Sequence, residues 1–232
     1  PPITPETMIK HLKLYRIRQI LEEKTKFSDT YIYVPSVWKK PLAKQEYTFV
    51  RAGEYYHGIV TDILKRSKAA ETYSKSLSAL RKEKDRWASR AVIYNAFPRL
   101  TAAFDHDGNN VLGSSQIDMT LNEKGIRDSG TFLKMIAILP YIQVLGADTL
   151  YMLPVNSIGK DARKGNLGSP YATSDLLAFD ERLGDPLLDG MAVEDQFAAL
   201  VEAAHILGIR VVLEFALRTS APDNVNAKEH PE

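Results

Sequence analysis

The 232-residue sequence predicts an α/β fold, with a mainly helical segment over 1–89 followed by parallel βαβ units over 90–232. Three observations predict it. Residues 1–90 carry 19 Lys and Arg against 10 Asp and Glu, and 91–232 carry 11 against 19, so a net +9 meets a net −8 near Arg90. Before that point apolar residues recur at helical spacing. After it, short continuous runs of strand formers alternate with longer runs of helical period, the pattern of parallel βαβ units.

Thr4-Pro5 offers a cap and a first-turn proline, and Met8, Ile9, Leu12, Tyr15, Ile20 and Leu21 keep near-helical spacing, which predicts a helix over about 5–24. TYIYV at 30–34 predicts a short strand. From Tyr47 to about Arg90 the spacing predicts helix again, interrupted at Gly53 and Gly58 and ending in the charged LRKEKDRW. AVIYNAF (91–97), TLYML (149–153) and IRVVLEF (209–215) are too short for helices, and their continuous apolar character predicts strands covered on both faces. GTFLKMIAILPYIQVLG (130–146) and AVEDQFAALVEAAHILG (192–208) predict helices closed by Gly146 and Gly208, the first kinked at Pro140.

With 44% apolar residues the chain can bury a sizeable core. No apolar run reaches membrane-spanning length and no signal peptide opens the sequence, so no membrane partner is expected. The absence of cysteine removes disulfides and thiolate metal sites and is read as cytoplasmic. The PPITPE start, without an initiator Met, is read as that of a processed or excised piece. The basic half carries no aromatic-interleaved motif; it is read as a solvated helical surface docking on an acidic neighbour, and no nucleic-acid partner is expected.

In parallel sheets the loops leaving the carboxyl ends of strands carry the site. The loop after the second strand contains GNLGSPYATSD (165–175), whose glycines and proline fix Tyr171 and Asp175 by backbone shape, within a 36-residue gap (155–190) far longer than an ordinary connection. FDHDGNN (104–110) offers oxygen ligands but lacks the calcium-loop spacing, with Gln116 where a bidentate Glu would stand, and reads as a polar turn. His11, His57, His106, His205 and His230 show no metal-ligand spacing on one element, so no metal site is expected.

YNAFPR (94–99), GTFLKMIAILPYIQVLGADTLYMLPV (130–155) and GSPYATSDLLAFDERLGD (168–185) resemble, block by block, the first strand, first helix with second strand, and Gly-x-Pro-Tyr-x-x-x-Asp segment of the α-amylase superfamily, glycoside hydrolase family 13. IGKDARKG (158–165) and LEFALRTSAPDNVNAKEHPE (213–232) are most similar to that superfamily's α-1,4-glucan:maltose-1-phosphate maltosyltransferases. The resemblance covers about 90–232 and implies the N-terminal portion, about three strands, of a (β/α)8 TIM barrel. It implies a retaining hydrolase or transglycosylase acting on α-glucosidic bonds of an α-glucan or maltooligosaccharide, with phosphate or sugar phosphate as a further partner and no organic cofactor. The nucleophilic Asp, general-acid Glu and stabilising Asp of the family follow later strands, so the catalytic residues are expected beyond Glu232 and this chain alone is expected to be inactive.

The same resemblance gives five candidate site residues, Tyr171, Asp175, Lys164, Glu214 and Arg218, and one further departure at Thr219. Tyr171 matches the tyrosine that stacks on a sugar ring, a flat face against the C–H face of a pyranose. Asp175 matches the aspartate four residues on, for which ordering of the loop through backbone N–H bonds is the plainer role. Lys164 matches the lysine of an Arg-Lys-Gly segment where phosphate is bound, and its plain reading is an exposed loop lysine. Glu214 stands where the family carries an orienting aspartate, Arg218 where it carries Asn or Gln, and Thr219 where amylases carry a sugar-contacting His. Arg218 is open between a ligand contact and a buried pair with Glu214. These departures leave a second reading, a barrel-derived protein that binds or senses glucan without chemistry.

Overall fold

The computed structural model describes residues 10–23, 29–66, 87–112 and 118–229. Helix α1 (Lys13–Glu22) turns Leu14, Ile17, Ile20 and Leu21 inward, spaced i, i+3, i+6, i+7 as the stripe of an amphipathic helix. It begins at Lys13 because Leu12 is extended (φ −68°, ψ 140°); the Thr4-Pro5 cap lies outside the described residues, as does most of LRKEKDRW. Strand β1 (Tyr31–Pro35) pairs antiparallel with β2 (Tyr47–Arg51), joined across the short helix α2 (Ser36–Lys39).

The second strand corrects the expectation of helix from Tyr47. YTFVR alternates, and its inward Thr48 and Val50 face the buried Val34 and Ile32 of β1, so pairing overrides local helical spacing. Helix then runs unbroken as α3 (Ala52–Arg66), through both Gly53 and Gly58. Gly53 is buried and a side chain at Gly58 would meet open space, so neither glycine interrupts the helix.

Strands β3 (Ile93–Ala96), β4 (Thr149–Met152) and β7 (Arg210–Leu213) form a parallel sheet in that order, in register Ala96, Met152, Leu213 at the carboxyl edge. Between them run α4 (Pro98–Thr101), α5 (Phe132–Val144) and α6 (Val193–Ile206). Thr131 caps α5 by accepting the Lys134 amide at 3.3 Å, and its hydroxyl donates to Asp185 at 2.5 Å. Pro140 sits inside α5, and Gly146 (φ +83°) and Gly208 (φ +76°) end α5 and α6 in the left-handed conformation.

The 36-residue gap is not a bare loop. It folds into a bulged antiparallel hairpin, β5 (Asn156–Ile158) with β6 (Thr173–Phe179), then two short 3₁₀ turns. Among the described residues the helices cover one face of the sheet, while the other is buried at Thr149 and open at Ile93, which corrects the expectation of two fully covered faces. Tyr94, Leu150, Val211, Ala96, Met152 and Leu213 face the helices and share their core. The alternate residues, Ile93, Asn95, Tyr151 and Val212, lie on the other face, and Ile93 is 56% exposed.

α1 packs on α3 and α6, and one apolar core runs from Leu14 and Tyr56 through Ile136 to Leu200. Lys13 pairs with Asp195 of α6 at 2.9 Å, and the Leu14 amide donates to Glu202 at 2.8 Å, a basic helix seated on an acidic one. His106 is wholly buried, its Nδ1 2.6 Å from the Tyr33 carbonyl, which makes Nδ1 the protonated nitrogen. Burial, then the charge of Lys134, pushes its pKa well below the imidazole range despite that bond. The unfolded chain takes up a proton near pH 6.5 that the folded chain refuses, so stability is fully present above that pH and lost below it. Unfolding free energy should fall by up to about 1.4 kcal/mol per pH unit below pH 6.5. Burial lowers His205 in the same sense, so urea titrations of His106→Gln should show a shallower fall, not a flat line.

Candidate functional site

The candidate site lies where the β5–β6 loop and the segment after β7 meet beyond the carboxyl edge of the sheet. Gly165 (φ +62°), Gly168 (φ +70°) and Ala162 (φ 52°) give the 159–172 loop its shape, and Gly168 lets the Arg163 side chain pack against it. The loop is strapped from the other side: Thr219 Oγ1 donates to the Tyr171 carbonyl at 2.9 Å, Ala221 N to Thr173 O at 3.0 Å, and Lys160 N to Asp223 Oδ2 at 2.9 Å. Asn224 Nδ2 adds a bond to the Thr173 carbonyl at 2.8 Å.

Between loop and strap opens a cavity of about 220 Å³, lined among others by Arg163, Lys164, Ser169, Tyr171, Thr219 and Ser220. The structure thus brings together two of the five sequence-predicted residues, Lys164 and Tyr171, in one opening. Tyr171 is 40% exposed, its amide held by Ser169 Oγ at 3.2 Å. Glu214, half-buried just past β7, accepts from Tyr151 Oη at 3.1 Å, and hydrogen bonding to Glu214 is the leading cause that raises both the Tyr151 and Tyr171 hydroxyls above their ordinary pKa. The carboxylate thus receives the Tyr151 hydroxyl and favours the protonated form of both phenols.

Asp175 and Arg218 stand outside that lining. Asp175, on β6, accepts the Leu177 amide at 2.7 Å. Arg218 is exposed, which overturns the alternative of a buried Arg218–Glu214 pair: five residues past the strand end, its segment has left the sheet for solvent. Tyr151 and Arg163 were not singled out from the sequence. Tyr151 sits at the alternate position of an apolar run, and its partner Glu214 is 63 residues away.

Behind the site, Arg99 and Asp180 form a buried ion pair at 2.9 Å, joined by Arg182 to Asp180 at 2.7 Å. This clamp fixes the end of β6 to the turn after β3. His230, with the Pro231 and Glu232 that follow it, lies outside the described residues. Among the described residues no group of His, Asp or Glu has the geometry to hold a metal ion; in FDHDGNN, Asp105 instead accepts the amides of Gly108, Asn109 and Asn110. No helix of the described residues is long and apolar enough to cross a membrane.

No family model matches the chain. Among curated proteins it is similar to the α-1,4-glucan:maltose-1-phosphate maltosyltransferase of Cereibacter sphaeroides, 39% identical over 113 residues, 44% of this chain and 18% of that protein. The enzymes of the same name from Mycolicibacterium smegmatis (34% over 149 residues, 60% of this chain) and Mycobacterium tuberculosis (36% over 143 residues, 59%) are likewise similar. The chain spans 18% of the length of each of these relatives. Of solved structures, an α-amylase from Lactobacillus plantarum is 33% identical with a TM-score of 0.42, covering 61% of this chain and 26% of that one. The maltogenic α-amylase AmyB of Thermotoga neapolitana is 30% identical with a TM-score of 0.43, covering 62% and 27%.

Proposed function

We propose that the chain is the opening portion of a (β/α)8 barrel of the α-amylase superfamily, and that it contributes the sugar-stacking and phosphate-facing side of a site acting on α-glucosidic bonds. The observation that carries the reading is the 220 Å³ opening in which an exposed aromatic face, Tyr171, and two cations, Lys164 and Arg163, line the same wall. A tyrosine ring offers an apolar platform to a pyranose, and an ammonium beside a guanidinium suits an anionic leaving group. Three parallel strands in chain order with helices between them fit the first turns of such a barrel, and the maltosyltransferase relatives support maltose 1-phosphate as the sugar donor.

Retaining displacement needs two carboxylates about 5 Å apart. The resemblance puts them on strands that would follow Glu232, so the 232 residues bind and orient the sugar, and the chain alone is inactive. Asp175 keeps the loop in shape, Glu214 orients Tyr171, and Arg218 is free to meet the substrate from solvent. The lack of cysteine supports a cytoplasmic setting.

One observation favours a second reading. Thr219 spends its hydroxyl on the Tyr171 carbonyl, a fixed structural bond at a position used elsewhere for sugar contact, which suits glucan binding or sensing without turnover. Calorimetric titration with maltose 1-phosphate and with maltose tests the main reading. Lys164→Ala should weaken the phosphate ester at least fivefold and leave maltose unchanged, while Tyr171→Ala weakens both. Equal affinity of the wild-type chain for the two ligands would remove the phosphate from the proposal.

A further inference from the structure

The β1–β2 hairpin presents an outward face that an antiparallel pair on a protein surface would ordinarily fill with polar residues. Its register puts Tyr31, Tyr33, Pro35, Tyr47, Phe49 and Arg51 on that face, while Ile32, Val34, Thr48 and Val50 turn inward. Tyr47 is 56% and Phe49 53% exposed. The rings are ordered against one another: Tyr31 stacks on Phe49 at 5.4 Å and 23°, Tyr33 meets Phe49 at 4.8 Å, and Tyr47 meets Tyr33 edge-on at 5.5 Å. Gly108, where a Cβ would lie 2.7 Å from the Tyr33 ring, lets the 105–110 turn press against it as a wall.

Two cavities open along this ribbon, one of about 300 Å³ at Tyr33, Tyr47 and Asn110, the other of about 490 Å³ between Tyr31, Phe49 and α3. Charged groups of both are engaged by the protein itself. Lys39 and Arg51 face Glu54 and Asp62 in the larger cavity. In the smaller one the Asp105 carboxylate is taken by three backbone amides; Lys124, outside that lining but over the Tyr33 and Phe49 rings, is bound to the Tyr31 carbonyl. A surface of flat rings rimmed by hydroxyls, amides and charges already engaged by protein groups matches a neutral chain of sugar rings, with apolar faces and hydroxyl edges.

We propose that the outer face of the β1–β2 hairpin is a second binding site for an α-glucan chain, separate from the opening at Tyr171. The choice of α-glucan rests on the proposed function; the platform itself rests on the hairpin.

Calorimetric titration of the whole chain with maltoheptaose tests it, with cellohexaose as comparison. Wild type should bind two maltoheptaose molecules per chain, Tyr47→Ala with Phe49→Ala one, Tyr171→Ala one, and the triple variant none. Both hairpin positions are solvent-facing, and an unchanged thermal midpoint confirms that each variant folds. A hairpin variant that still binds as many as wild type overturns the inference, and the proposed function then stands if Tyr171→Ala loses a molecule. Loss in the hairpin variant alone leaves the platform standing and overturns the assignment at Tyr171. Cellohexaose binding at the hairpin as tightly as maltoheptaose overturns the α-glucan assignment. A wild-type dimer by sedimentation that the hairpin variant dissociates shows the face to be a contact between copies and overturns the inference.

Discussion

Asp180→Asn should lower the unfolding free energy by about 3–5 kcal/mol, because it strips the charge from a buried pair and strands its partner. Asp180 is 4% and Arg99 1% exposed in their side chains, and the same carboxylate takes Arg182 through its amide at 3.0 Å, Nε at 2.9 Å and Nη2 at 2.7 Å. Asparagine keeps the shape and loses the compensation. Arg99 Nε and Nη1 already lack a protein partner, so the guanidinium has no second acceptor to fall back on. Against an ordinary domain stability of about 5–15 kcal/mol, the shift in urea midpoint should be unmistakable.

The pH dependence gives an independent reading of the same clamp. Burial pushes the Asp180 carboxyl up, but the Arg182 hydrogen bonds and the charges of Arg99 and Arg182 outweigh it and hold it below the usual range. A depressed acid stabilises the fold above its unfolded value near pH 4, and that contribution is lost as the pH falls through the lower folded value. The acid limb of the wild-type stability curve should therefore be steeper than that of Asp180→Asn.

Gly130→Ala should cost about 3 kcal/mol or more, at the upper end of overpacking substitutions. An added Cβ would stand 1.8 Å from the Pro98 carbonyl oxygen, 2.9 Å from its carbon and 3.1 Å from Ala102 Cβ. Two of these are backbone atoms with no rotamer to yield, and the Gly130 amide holds the Arg99 carbonyl at 2.8 Å, so the α4 turn and the start of α5 would have to separate. Gly58→Ala supplies the opposite sign: it lies inside α3 with open space around it, and should gain about 0.5–1 kcal/mol. Chemical denaturation of the two variants side by side checks both directions.

The parallel sheet was legible because its strands are continuous apolar runs and its long helices end in glycines that only a left-handed turn requires, Gly146 and Gly208. β2 was not. Five residues of alternating YTFVR carry too little period to outvote the helix that follows, and the alternation acquires meaning only once Tyr31–Pro35 lies beside it. The β5–β6 pairing was hidden for a related reason: its register is broken by bulges and its two strands are separated by the glycine-rich loop. In the site, Tyr171 and Lys164 could be named from their flanking motifs, whereas Tyr151 with Glu214, and Arg99 with Asp180, are joined across 63 and 81 residues. Nothing local in YNAFPR announces that its arginine goes inside, against the general habit of that side chain.

The seating of α1 on α6 bears on how the molecule opens. Leu14 and Ile17 are wholly buried against the same core as Leu200 and Ala203, and the Leu14 amide ends on Glu202. Peeling α1 away uncovers the back of the helix that supports β7, so the two should breathe as a single foldon, their amide protons trading with deuterium at a common, slow rate.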